Sequence, residues 1–434
     1  MIQLVHTGHP VIDGVLTILF LILISYPIWG GFSWFIGVLC YTFLFKYKQK
    51  DWIDLPEEIE PFVTIMIPAH NEEIVIEKTI TYLMTNINYS HYEVLVTDDG
   101  STDDTPVILA RLAEQYENLR VVRIEKNKGK AHAFDIGLSF AKGELILSND
   151  VDTVPEPDAL NHYVNYFIRQ DASNIAAVTA NMDVQNRTKL IAKSQTVEFS
   201  SIVGIIKRTQ IGVLGGIYAY SGANTMYRKE ALIDVGLFRQ DRATEDISIA
   251  WDHQLDDWAS LFAPKIMFFM EVPETLTMLY RQRKRWAKGG TEVWLTNFKK
   301  VLLHPFENIG RTVMFVDQTF SIIWSFFFWI SSLLFLFSVI TFLVNGNYER
   351  LYHMFTMAFL FVCFEMISGI FQLVASLIAD DRGRKLKYLL FAPLYMLFYW
   401  IMNALTILTT FIPAVKTILG FGSGTWKSPD RQKR

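Results

Sequence analysis

Four short clusters in this 434-residue chain hold side chains that do chemistry. "VTDDGSTDDT" sets Asp98 and Asp99 before Gly100, an acidic turn that is also ordinary turn chemistry after a strand. "LSNDVDT" spaces Asp150 and Asp152 one residue apart. Where a strand frays into a turn, that spacing turns both carboxylates to one side and makes a hard-oxygen site for Mg2+ or Mn2+. Such an ion neutralises charge on a departing diphosphate. "RATEDISIAW" places Glu245 and Asp246 in the first turn of a predicted helix with Thr244 at its N-cap, and Asp246 in reach of a general-base role on a sugar hydroxyl. "LYRQRKRWAKGG" packs Gln282, Arg285 and Trp286 into Gln-x-x-Arg-Trp among Arg281, Arg283 and Lys284. A juxtamembrane basic helix holding anionic lipid accounts for the latter three. The Gln, Arg and Trp fit a diphosphate clamp beside a flat apolar platform for a sugar ring.

Two minor positions join them. Glu72 lies in "PAHNEE" at the end of the first strand, where base binding and a helix cap on Asn71 are both open readings. Lys130 in "NKGKAHA" approaches a donor or faces solvent.

The elements that must carry these groups alternate. "FVTIMIPAHN", "YEVLVTDDGS", "LRVVRIE" and "GELILSNDVDT" read as strands, and the segments between them as helices. Continuous apolar strands with helices between them predict βαβ units and a parallel sheet covered on both faces, with ligands at the strands' carboxyl ends. Around this domain the chain is apolar. Val15 to Phe45 carries no charge over about 30 residues, enough for one kinked span or a tight hairpin. Three further apolar blocks occupy about 313–344, 353–379 and 387–420.

The predicted organisation is an N-terminal membrane segment at 1–50, a catalytic domain at 51–288, an amphipathic interfacial segment at 289–312, membrane helices at 313–420 and a basic tail at 421–434. The leader lacks a basic n-region and a small-residue cleavage site, so the first span reads as retained. "KYKQK", Lys46 to Lys50, and "DDRGRKLK" place the catalytic domain in the cytoplasm by the positive-inside rule. The tail's four basic residues ask for the same side, whereas counting spans puts it outside. A hairpin or re-entrant turn in one block, or an exception to the rule, reconciles the two.

Composition removes other classes. A content of 51% hydrophobic residues asks for a membrane component, and a net charge of -4 gives no footprint for nucleic acid. Cys40 and Cys363, both in apolar runs, exclude a disulfide framework and a Cys-based zinc site. Neither G-x-G-x-x-G nor a Walker A sequence occurs.

In order, "DDGS", "NDVDT", "TED" and "QRKRW" with flanking spans resemble the processive family-two glycosyltransferases, the cellulose, chitin, hyaluronan and poly-N-acetylglucosamine synthases. Within them, "SSIVGIIKRTQ", "TEDISIAWDHQL", "PETLTMLYRQRKRWAKGGTEV" and "TWKSPDR" are most similar to bacterial poly-β-1,6-N-acetylglucosamine synthases. The resemblance implies a GT-A fold, an α/β domain with a Rossmann-like mixed sheet, joined to a transmembrane helical bundle in the cell membrane. It implies Asp98 and Asp99 near uridine, and Asp150 and Asp152 on the metal and diphosphate. It implies Asp246 as base with Glu245 beside it and Arg285 also catalytic, Gln282 and Arg285 on donor and acceptor, and Trp286 under the acceptor sugar. Ser221 and Gly222 of "SGANTMY" are expected near the acceptor. A UDP-sugar donor, UDP-N-acetylglucosamine first, a growing polysaccharide, the lipid bilayer and a small accessory membrane protein are the implied partners. "VTANMDVQNR", residues 178–187, departs at Ala180 and Met182 from the family wording and leaves donor and linkage open. A glucan or hyaluronan-like polymer, and transfer of one sugar to a membrane lipid, are the alternatives.

Overall fold

The computed structural model describes residues 9–45, 52–53, 55–169, 172–381 and 384–421. The basic flank Lys46–Lys50, most of the leader, residues 382–383 of the basic loop and the tail from 422 lie outside the described residues.

The chain enters through α1 (Pro10–Cys40), which continues as a π-helical turn at Tyr41–Phe45 and passes through Pro27 without reversing. It is one continuous helix, which removes the hairpin alternative. The α/β domain follows as β1 (Val63–Ala69), α2 (Ile76–Thr85), β2 (Tyr92–Asp99), α3 (Thr105–Gln115), β3 (Leu119–Ile124), α4 (Lys130–Phe140) and β4 (Leu145–Asn149). These elements form where the alternating pattern placed them. Ile76, Thr79, Ile80 and Leu83 are the buried stripe of α2, at helical spacing, and Pro106 occupies the permissive first turn of α3. Every residue of β1 and of β2 is buried, because helices cover both faces of the sheet. Truncating Ile65 or Ile67 in that core to Ala would cost about 2–5 kcal/mol.

The parallel pattern stops at β4. The remaining strands are β5 (Thr153–Pro155), β6 (Ile175–Val184), β7 (Asn224–Arg228) and β8 (Ala259–Met270), and the sheet order is β3-β2-β1-β4-β7-β6-β8-β5. Strands β3, β2, β1 and β4 are parallel, β7 is antiparallel to both β4 and β6, and β5 is antiparallel to β8. The parallel pattern read from the first four strands holds, and the later strands make the sheet mixed, as the resemblance implies. After β4 the run of parallel neighbours ends, and β7 arrives from a long helical excursion to enter the sheet between β4 and β6, antiparallel to both.

That excursion is α6 (Leu190–Ser201), reached after α5 (Ala159–Phe167) and prolonged by π-helical turns at Ile202–Ile206 and Gln210–Leu214. The short α7 (Lys229–Asp234) and then α8 (Glu245–Leu255) follow β7. The Gln-x-x-Arg-Trp sequence lies in α9 (Leu276–Leu303), a single helix of 28 residues. The expected boundary between 288 and 289 therefore falls inside one helix.

The bundle is completed by α10 (Ile309–Val344), α11 (Tyr348–Asp381) and, after a 3-10 stretch at Arg384–Phe391, α12 (Ala392–Ile418). With α1, four helices among the described residues are long and apolar enough to cross a membrane. Each apolar block is one helix, so the re-entrant alternative for residues 387–420 is not what the chain adopts. Bundle and domain pack closely. A side chain at Gly37 of α1 would collide with Thr209, and one at Gly310 with the Leu214 backbone.

Candidate active site

The carboxyl ends of β1 and β4, the start of α8, the α6 excursion and α9 enclose one cavity of about 340 Å³. Glu72, Lys130, Asp150, Asp152, Ser221, Gly222, Glu245, Asp246, Gln282, Arg285 and Trp286 all line it. Eleven of the thirteen expected site residues, distributed over more than 200 positions of sequence, converge there.

The centre is a charge cluster. Lys130 Nζ lies 2.7 Å from Asp150 Oδ1 and 2.8 Å from Glu245 Oε1, its side chain only 8% exposed, so the solvent-facing reading of Lys130 is corrected. Burial alone would lower the Lys130 pKa, but Asp150 and Glu245 overcome it and hold the ammonium charged. Burial pushes Glu245 up, yet Lys130 and Arg285 bring its carboxyl below the ordinary range. Asp246 moves the other way: burial and then the Glu245 charge raise it to about 6. Two adjacent carboxyl groups are thus driven apart, one fixed as an anion and one poised to exchange a proton near neutrality.

Local geometry explains the poise. Asp246 Oδ2 accepts from the Gly222 backbone N–H at 3.2 Å, and Oδ1 from Ile247 N at 2.9 Å. Thr244 stands at the expected N-cap position with extended backbone, but its side chain makes no cap hydrogen bond. The turn is held instead by Glu292 of α9, fully buried, which accepts from Ala243 N at 2.8 Å. Gly222 is favoured by close approach: a Cβ there would sit 3.0 Å from both Glu245 Oε1 and Lys130 Nζ and would push that pair aside.

Asp98 and Asp99 end β2 and are not among the residues lining the cavity. Asp99 accepts from Lys128 N at 3.1 Å and Gly129 N at 2.8 Å, fixing the turn in which Gly129 (φ 105) delivers Lys130. Asp98 Oδ1 accepts from Ser101 N at 3.0 Å, while its buried Oδ2 makes no hydrogen bond among the described residues, with Arg123 Nε 3.7 Å away. Asn71 does not cap a helix. It has φ 55, and its side-chain oxygen accepts from Thr102 N at 2.8 Å.

The basic stretch divides. Arg285, Gln282 and Trp286 face the cavity, whereas Arg283 is buried, 2.6 Å from Glu198 Oε2, with its guanidinium 4.1 Å from the Trp286 ring centroid. The lipid-holding reading of Arg283 is therefore corrected: it is a buried partner that backs one side of the indole. The buried Gln282 Oε1 has no hydrogen-bond partner among the described residues.

Sequence reading missed Lys207, Gln210 and Glu271 in the cavity wall, where Met182 of the departing stretch also lies. Lys207 Nζ donates to Thr179 Oγ1 at 3.3 Å, and burial lowers its pKa to about 8 despite Asp246. The signal was available: a Lys-Arg pair inside an otherwise apolar helical run, "SSIVGIIKRTQ", is a buried polar pair that must have a reason.

The cavity's donor set fits a divalent cation. No group of three or more His, Cys, Asp and Glu side chains gathers as a metal cage among the described residues. Magnesium sites beside phosphates need only one or two carboxylates, the substrate supplying the rest. Asp150, 37% exposed at the side chain, and Asp152 provide two at the cavity wall.

The family model of glycosyl transferase family 2 matches residues 64–236. A poly-β-1,6-N-acetyl-D-glucosamine synthase of Staphylococcus epidermidis is 32% identical over 422 residues, 95% of this chain and 98% of the relative. One from Staphylococcus aureus (strain COL) is 31% identical over 413 residues, 94% and 97% of the two chains. Among solved structures, a mannosyltransferase from Pyrobaculum calidifontis in complex with GDP-Man and Mn2+ covers 83% of this chain and 99% of its own at a TM-score of 0.55 and 19% identity, which establishes the common fold. With that fold, the converging acids and the four apolar helices, the chain belongs to glycosyl transferase family 2 and is a membrane glycosyltransferase.

Proposed function

We propose that this protein polymerises a UDP-sugar, UDP-N-acetylglucosamine before others, into a β-linked exopolysaccharide and passes the chain through its own helices. The observation that carries the reading is the single cavity in which Lys130, Asp150, Asp152, Asp246, Arg285 and Trp286 meet against α9 and the membrane-facing excursion. The relatives named for poly-β-1,6-N-acetyl-D-glucosamine synthesis, aligned over nearly the whole chain, support the donor and the product.

The residues divide the work. Asp98, with an unbonded buried carboxylate oxygen, suits the N–H of a uracil ring beside β2. Lys130 and Arg285 place fixed positive charge beside the diphosphate. Asp150 and Asp152 would hold Mg2+ or Mn2+, which when bound neutralises charge on the leaving phosphate oxygens. Trp286, backed by Arg283, offers its indole to the acceptor's terminal sugar, with Ser221 and Gln282 as polar neighbours.

Asp246 takes the proton of the acceptor hydroxyl. That oxygen forms the new bond to C1 as the C1–O bond to the diphosphate breaks, and UDP leaves with the electron pair. One displacement from an α-linked donor inverts the anomeric carbon and gives a β-linkage. Glu245 stays ionised, orients Lys130 and repels charge on Asp246, which makes Asp246 a stronger base than an ordinary carboxylate.

In this reading the four apolar helices cross the bilayer with the catalytic domain on the cytoplasmic side, which the basic "KYKQK" and "DDRGRKLK" stretches support. A small accessory membrane protein is part of the same reading, and co-purification from the native membrane tests it.

The test is UDP release by detergent-purified protein with Mg2+ or Mn2+, across UDP-N-acetylglucosamine, UDP-glucose, UDP-galactose and UDP-glucuronate. Polymer from UDP-N-acetylglucosamine, cut by a β-1,6-specific N-acetylglucosaminidase and lost on chelation, is expected. A single-sugar lipid product, or no transfer from any donor, would overturn the reading.

A further inference from the structure

Strand β6 carries a feature that the transfer chemistry does not use. Its parallel ladder with β8 runs to Ala180↔Ala263, then resumes at Asn181↔Met267, so Pro264, Lys265 and Ile266 bulge out of register. Bulges beside sites re-aim side chains. Side chains alternate along a strand, so Asn181 and Asp183 point away from the cavity while Met182 lines it. Ser221 Oγ donates to Met182 Sδ at 3.0 Å, and the Ser221–Gly222 segment leads directly to Asp246.

Both outward side chains are held by the membrane bundle. Asn181 Nδ2 donates to Asp380 Oδ1 at 2.8 Å, bridging also to Pro264 O in the bulge at 3.3 Å. Lys385 Nζ lies 2.7 Å from Asp380 Oδ2 and 2.9 Å from Asp183 Oδ1, and Arg187 pairs with the same Asp183 oxygen. Asp380 Oδ2 also accepts from Ser200 Oγ of α6 at 2.9 Å, one residue from Phe199 and two from Ile202, both in the cavity wall. Asp380 and Lys385 are 0% and 6% exposed at their side chains. They are desolvated groups with several strong partners, unlike a surface pair that contributes little.

Resting on the transferase reading above, we infer that Asp380 and Lys385, flanking the junction of α11 and α12, are positioning residues that fix β6 and α6 and so set the sugar-facing wall at Met182 and Ser221. The membrane helices thereby determine which sugar the cavity accepts. The uridine side of the sheet, with Asp98 and Asp99 bonded inside the β2–α4 region, has no bond in this clamp.

The experiment compares full-length wild type, Lys385→Met, Asp380→Asn and the conservative Lys385→Arg in detergent. It reads kcat and KM with UDP-N-acetylglucosamine and UDP-glucose, inhibition by UDP, and thermal unfolding. Asn165→Ala is the stability control, since among the described residues Asn165 bonds the Ile53 and Asn161 backbone and no member of the clamp. In Lys385→Met and Asp380→Asn the ratio of kcat/KM for the two sugars moves about tenfold, the scale a pocket wall supplies, chiefly through KM. UDP inhibition stays as in wild type, and Lys385→Arg moves the ratio back. An unmoved ratio in both variants, or the same movement in Asn165→Ala, overturns the clamp while leaving the transferase reading intact. Wild type that transfers neither sugar overturns that reading and the clamp with it.

Discussion

The two halves of the sheet are secured over different distances. On the β1–β4 side the acids are held locally: Asp98 by Ser101, 3 residues away, and Asp99 by Lys128 and Gly129, 29 and 30 away. On the β5–β8 side, Glu198 reaches Arg283, 85 residues away, Ser200 reaches Asp380 at 180, and Asn181 reaches Asp380 at 199. Asp98 and Asp99 are held from within their own segment, while α6 and β6 are held by α9 and the membrane helices. On the proposed division of roles, the grip of Asp98 and Asp99 is independent of the bundle and the sugar wall is not. Substitutions should therefore separate nucleotide binding from transfer.

The largest separation belongs to Asp246→Asn. Removing the general base lowers polymer synthesis by about 10²–10⁴-fold, and binding of UDP to the β1–β4 side stays unchanged by calorimetry. The wild-type rate rises as pH increases through about 6, because the base works only when ionised. The stability sign is opposite. The folded Asp246 pKa lies above the ordinary 3.8, so its favourable contribution is full below about pH 4 and is lost as pH rises through about 6. Asp246→Asn therefore melts at a higher temperature than wild type at pH 7.5, and an equal or lower melting temperature would contradict the burial argument.

Next comes Arg283→Ala, which leaves the Glu198 carboxylate buried without its cation and costs about 3–5 kcal/mol in unfolding experiments. The double variant Glu198→Leu with Arg283→Met recovers most of that stability, since no charge is then stranded. It does not restore polymer length, because the indole of Trp286 has lost the guanidinium behind it. Gly222→Ala follows, with a Cβ 3.0 Å from Glu245 Oε1 and Lys130 Nζ. Displacing that pair lowers kcat by up to about 10²-fold, the scale of a small misplacement at the reacting centre, with melting nearly unchanged.

Legibility in the sequence followed the same division. Strands β1 to β4, their helices and the motif residues at their ends were readable because period and turn chemistry are local. Asp150, Asp152, Glu245, Asp246, Gln282, Arg285 and Trp286 were found by residue type and spacing, and the cavity gathers all of them. What local pattern does not encode is pairing. Nothing around "QRKRW" says that Arg283 turns inward to Glu198 while Arg285 turns to the acids. Nothing around "NKGKAHA" says that Lys130 bridges Asp150 and Glu245. The antiparallel entry of β7, the π-helical turns after α6 and the run of α9 across residue 288 are likewise decided by distant contacts.

The smallest effect belongs in the local half, at Arg120→Ala. Arg120 pairs with Glu93 at 2.9 Å, as Arg283 does with Glu198, but its side chain is 34% exposed. Removing it does not strand the carboxylate, because Glu93 still accepts from Thr64 Oγ1 and Lys142 N, each at 2.8 Å. Burial works to raise the Glu93 pKa, and these bonds together with Arg120 hold it below the ordinary value, so the pair's stabilisation is present above the usual carboxylate range and fades as pH falls. A loss of about 0.2–1 kcal/mol is expected at pH 7, shrinking towards pH 4, with unchanged polymer yield. Two ion pairs of similar length would then differ severalfold in what their loss does, because solvent and neighbouring backbone take over from the cation beside Glu93, whereas buried Glu198 keeps only the Tyr399 hydroxyl.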